Sequence, residues 1–120
     1  MGARTVRDFQ VGFDIAPVVD AWAQANHYGI RGVGADGTRS FQRGDGILTE
    51  SMLFTIRQSG SAVHLEAWVH TNLAARMGAL FLIPAEMGIE SGGIKGALPR
   101  SMARNSVNKL LAQLDQPPIE

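Results

Sequence analysis

Between Glu50 and Thr71 apolar and polar side chains alternate along two arms that meet at Ser59 and Gly60. A two-residue turn there predicts a β-hairpin with Ile56 opposite Val63, Phe54 opposite Leu65 and Met52 opposite Ala67, all on one face. The other face takes Leu53, Thr55, Arg57, His64, Glu66, Trp68 and His70 and is mostly polar. A sheet with one apolar face needs a cover, most economically helices packed on that side.

The remaining pattern supplies those partners. Thr5 to Gly12 alternates as a strand, with Thr5, Phe9 and Val11 facing one way and Asp8 and Gln10 the other. A helix is predicted at about Ile15 to His27, with Asp14 as N-cap, Pro17 in the first turn, Phe13 stapled onto Val18, and Val18, Val19 and Trp22 buried. Gly29 is the expected left-handed stop. Gly32, Gly34 and Gly37 match the spacing of a dinucleotide-binding turn, but Thr38 to Arg43 continues as a strand where a phosphate cradle needs a helix. The spacing is therefore read as a hairpin with Asp36 and Gly37 at its tip and Phe41 covering Gly32 across the strands. A further turn at Asp45 and Gly46 sets Phe41, Leu48, Met52, Phe54 and Ile56 on one face.

Leu73 to Ile83 is strongly apolar and fits either a short helix or a buried strand. Ala85 to Glu90 is a candidate last strand, followed by a joint at Ser91, Gly92 and Gly93. Pro99 suits the first turn of a helix running to about Leu114, with Met102, Ala103, Val107, Leu110, Leu111 and Leu114 on one stripe, and Pro117 and Pro118 end it. The fold class expected is α+β: a single domain spanning 1–120, with a curved antiparallel sheet of four to five strands covered on one face by two helices, in the order β-α-β4-α. This order resembles the TATA-binding-protein-like fold and a reduced helix-grip fold, in which a curved sheet wraps a C-terminal helix. The stretch Gly93, Ile94, Lys95, Gly96, Ala97, Leu98, Pro99, Arg100 is similar to the segment leading into the last helix of small bacterial proteins without an assigned activity. Neither resemblance implies a reaction, because such architectures serve unrelated tasks.

Composition narrows the function classes. Eleven basic and eleven acidic side chains cancel, which argues against general nucleic-acid attraction. The absence of cysteine excludes a disulfide framework and thiol chemistry and fits a reducing, cytoplasmic setting. No apolar run approaches the ~20 residues of a bilayer span, so no membrane insertion is expected. Ser61, Ser101 and Ser106 lack a nucleophile-elbow motif, and nothing places His27, His64 or His70 beside them. No catalytic residue and no cofactor are assigned.

Three groups of side chains are candidates for binding. His64 and Glu66 share a strand face at metal-ligand spacing, although His70 lies roughly 20 Å from His64 and a third ligand is lacking. Glu50 falls by register on the apolar face with Arg43 as its nearest base; it either sits at the strand start, at a bulge, with its carboxylate in water, or, if buried, marks with Phe41 a pocket between sheet and last helix. Lys95, Arg100, Arg104 and Lys109 form a basic run without an aromatic for stacking, read as a wet helix face.

Two expectations follow. The first is a non-catalytic, self-associating module, a homodimer or larger, joined through Trp68 and Leu53 on the polar sheet face or through Met77, Leu80 and Phe81. The alternative is a module holding an apolar, lipid-like small molecule between sheet and C-terminal helix, anchored by Glu50.

Overall fold

The computed structural model describes residues 4–44, 51–70, 86–90 and 97–120. In chain order these form β1 (Thr5–Gln10), α1 (Ala16–Ala25), β2 (Gly29–Val33), β3 (Arg39–Arg43), β4 (Ser51–Ser59), β5 (Ala62–His70), β6 (Glu86–Met87) and α2 (Ala97–Gln113). The sheet is curved and unclosed, with main strand order β1-β5-β4-β3-β2, every pair antiparallel. β6 joins β5 beyond the end of β1. β1 and β2 thus occupy opposite edges although only α1 separates them in sequence. Its ten residues, about 15 Å of helix, with the segments on either side carry the chain across roughly 19 Å of sheet.

Facing follows the period-two pattern, while register departs from it in two places. Ser59 pairs with Ala62, so Gly60 (φ +61°) and Ser61 make the turn, and Phe54 meets Ala67 and Ile56 meets Leu65. The expected pairs are displaced by two positions, which preserves every face. In the β2–β3 hairpin Gly37 takes φ +85° at the tip, where Asp36 accepts the Thr38 amide through Oδ1 at 3.0 Å. A bulge between Ile30 and Gly32 then pairs Phe41 with Ile30 and Gly32 with Ser40, so the expected aromatic cover over Gly32 does not form.

Both helices pack on the face that carries Phe54 and Leu65. α1 contributes Val19, Trp22 and Ala23, and α2 contributes Ala103, Val107, Leu110 and Leu111, with Leu114 just past its end. Phe54 and Leu65 of the hairpin face and Val107 and Leu111 of the last helix's stripe are buried together in this core. Met102, assigned to the same stripe, is exposed because it lies beside rather than on the 103–107–110–114 line. Trp22 stacks on Tyr28 at 4.8 Å and tilts against Phe54 at 4.9 Å. Its indole donates to the Ser106 carbonyl at 2.7 Å. The Ser106 hydroxyl donates to the Ala103 carbonyl, which leaves it to accept from the buried Tyr28 hydroxyl at 2.9 Å. Burial raises the Tyr28 pKa, so the phenol stays neutral and able to donate.

α1 begins one residue later than expected, with Ile15 at the N-cap, while Asp14 Oδ1 accepts the Ala16 amide at 3.0 Å. The left-handed stop is His27 (φ +64°), not Gly29: the Tyr28 amide bonds back to Ala23 and the His27 amide to Gln24. α2 ends the same way at Asp115 (φ +58°), with Gln116 bonded to Leu111 and Asp115 to Ala112. The tail then returns. Asn108 holds the Ile119 backbone from both sides at 2.7 and 3.0 Å, and Ile119 enters the core.

Candidate functional site

Polar side chains meet accessible space at the end of the helix-covered face near the start of α1 and on the polar face of β1 and β5.

At the first, a cleft of about 600 Å³ opens between α1 and the sheet. Its buried floor is Val11, Ile15, Val19 and Ile56, its rim is Phe13, and no residue of α2 belongs to its walls. The cleft exists because inward strand positions turn polar at this end. Arg39 opposes Ile56 across β3 and β4, on the face of Phe41 and Phe54, and Gln58 follows Ile56 at the next inward position of β4. Neither supplies an apolar lid. Arg39 reaches up to pair with Asp20 of α1 and lies 5.1 Å from the Phe41 ring centre. The Gln58 amide fixes the segment entering α1: Oε1 accepts from the Ile15 amide at 3.0 Å and Nε2 donates to the Phe13 carbonyl at 2.8 Å. Gly12, Gly37 and Gly60 also line the space, and a Cβ at any of them would meet no atom within 4 Å. Phe13, expected to staple onto Val18, is instead 48% exposed. The wall thus offers apolar contact, one guanidinium and one carboxylate (Asp14) to a molecule of small-ligand size.

On the polar face, Asp8 and Glu66 grip His64 from both sides. Nδ1 lies 2.6 Å from Asp8 and Nε2 2.8 Å from Glu66. These hydrogen bonds, Glu66 first, raise the His64 pKa, and the bond from His64 lowers that of Glu66. Both ring nitrogens are committed, so His64 and Glu66, the sequence's metal candidates, form an ion pair; the described residues contain no group of three or more metal-binding side chains. Arg4 donates to Glu66 at 3.3 Å while its guanidinium sits 3.6 Å above the Trp68 ring.

The other sequence candidates fall as follows. Leu53 and Trp68 are cross-strand partners as their shared face implies, but they are 7% and 5% exposed, not the open patch expected; Arg4 covers part of Trp68. Phe41 is buried in the core and Arg43 is half-buried. Between sheet and C-terminal helix, Phe54, Leu65, Val107 and Leu111 are buried in one core. Glu50, Lys95, Met77, Leu80 and Phe81 lie outside the described residues. Arg100 and Arg104, read as a wet face, grip backbone: Arg100 donates to the carbonyls of Gly88 at 2.9 Å and Glu90 at 2.6 Å, and Arg104 to Ile89 at 3.0 Å. The buried Thr5 hydroxyl accepts the Ile89 amide at 2.9 Å and donates to Glu90, fixing the same segment to β1.

Arg39, Gln58 and Phe13 were missed by sequence reasoning. The legible signal was the break in inward alternation, Phe41 to Arg39 and Ile56 to Gln58, at the same end of two paired strands.

No protein-family model matches the chain, and searches of curated proteins and of solved structures give no significant match. No described helix is long and apolar enough to cross a membrane.

Proposed function

We propose that this chain is a non-catalytic small-molecule-binding module that takes an apolar ligand into the cleft beside α1. The observation carrying this reading is the cleft itself, about 600 Å³ with a floor of core side chains. Natural ligand sites have this size and this mixture of apolar walls with a few polar groups. The reading moves the pocket expected from sequence to the other helix and replaces Glu50 by Arg39 and Gln58 as its polar neighbours. It is favoured over self-association through the Trp68 face because Leu53 and Trp68 are already covered; the route through Met77, Leu80 and Phe81 lies outside the described residues. The strand order, with the first strand beside the last long strand among the described residues, also supports kinship with the helix-grip architecture.

Decanoate and decanol are suitable probes. Titration followed by amide chemical shifts should perturb Ile15, Val19 and Ile56 and spare Val107 and Leu111. Gly12→Leu, at a position where added atoms meet open space, should weaken binding by about tenfold or more, since ~1.4 kcal/mol of lost contact suffices. Absence of shifts around the cleft with both probes at millimolar concentration would defeat the proposal.

A further inference from the structure

β2 is an edge strand of the sheet formed by the described residues, and every residue of Gly29–Val33 is exposed. Ile30 and Val33 are 58% and 64% exposed, the highest values among large apolar side chains of the described residues. In a regular strand, residues three apart face opposite ways. Here the bulge between Ile30 and Gly32 brings both to the helix-covered side, since Ile30 pairs with Phe41 and Val33 with Arg39. The result is a short apolar strip along a strand that has no second strand partner among the described residues, the arrangement to which an extended segment adds as a further strand.

Charge selects the occupant. Asp20 is matched by Arg39 and Asp36 by Arg57. Hydrogen bonds from the Thr38 amide and side chain, with help from Arg57, hold Asp36 down to about 2, so it stays ionised and committed. Arg31 on the edge strand and Arg43 on its neighbour have no carboxylate within ion-pair distance among the described residues. The described residues leave this edge with surplus positive charge. A second copy fits it poorly: antiparallel pairing over the whole of β2 is centred on Arg31 and sets Arg31 against itself, a like-charge cross-strand pair.

We infer that the β2 edge docks an extended acidic segment of another protein, whose apolar side chains lie along Ile30 and Val33 and whose carboxylates meet Arg31. Main-chain hydrogen bonds supply the attachment, and the apolar and charged side chains select the sequence. This site is separate from the cleft and stands without it.

The probe is a capped heptapeptide, Glu-Val-Glu-Ile-Asp-Val-Glu, compared with the same peptide carrying lysine at each acidic position. Amide shifts and hydrogen-exchange protection over Ile30 to Val33 are expected with the acidic peptide alone. Arg31→Glu should lower its affinity by about tenfold at low salt and admit the lysine peptide. Val33→Ser, at a side chain mostly in water, should weaken the acidic peptide and leave the fold intact. Failure of both peptides to perturb β2 at millimolar concentration overturns the inference, and equal response to both overturns its charge selection. A wild-type dimer by sedimentation that Val33→Ser converts to monomer would make a second copy the occupant and overturn it as well.

Discussion

One face of one sheet is treated differently by its two helices. Under α2 the inward positions are Phe54, Leu65, Ala67 and Val69, all buried, and the helix stripe is buried with them in one core. Near the start of α1 the inward positions become Arg39 and Gln58, and the helix stands off over a cleft of about 600 Å³. A short sheet can therefore hold one end as core and the other as a recess, simply by changing the chemistry of two inward residues. The Gln58 hydrogen bonds and the Arg39–Asp20 ion pair keep the recess open by tying the chain around it to the strands.

Truncation should expose this contrast most strongly. Leu111→Ala at the filled end should cost about 2 to 5 kcal/mol in denaturant unfolding. Phe13→Ala at the recess rim should cost no more than ~0.5 kcal/mol. Comparable costs would mean that the two ends are packed alike. Next in size is Ser106→Ala, which leaves the buried Tyr28 hydroxyl without its acceptor and should cost about 1 to 3 kcal/mol. Ser106→Thr, keeping the hydroxyl, should recover part of that loss.

Gln58→Ala tests the recess frame. It removes the partners of the Ile15 amide and the Phe13 carbonyl and should cost about 1 kcal/mol. Amide exchange should quicken at Ile15 while Leu110 and Leu111 are unaffected. Unchanged exchange at Ile15 would show that Gln58 does not hold the entry to α1.

The smallest effect is a pH dependence from the polar face, where packing is not at stake. His64 is raised above its ordinary value, so its stabilising contribution is complete below about pH 6.5 and is lost as pH rises through the folded value. Glu66 is lowered, so its contribution is complete above about pH 4.5 and is lost as pH falls through its folded value. Together they favour the window between. Midpoints of unfolding measured from pH 4 to 9 should decline on the alkaline side of that window, and His64→Gln should flatten the decline. An identical profile in the variant would assign the pH dependence to other groups.

What the amino-acid order alone determined is periodic. Side chains alternate strictly along a strand, so the inward set of β4 and β5 was readable, and a two-position error in register left it unchanged. The stripe of α2 was readable for the same kind of reason, apart from Met102 at its margin. Sequence also placed His64 and Glu66 on one face, but not Asp8 beside them, because β1 meets β5 only through a pairing 56 residues apart. Tertiary structure decided the rest. The bulge that carries Ile30 and Val33 to one face arises between two strands and has no local signature comparable to the glycines at the hairpin tips. Arg100 and Arg104 became backbone clamps only because the Gly88–Glu90 segment arrives beneath them. A cleft is likewise a property of where two elements fail to touch; no single stretch of chain encodes it, and Arg39 and Gln58 become its walls only once β3, β4 and α1 are set against one another.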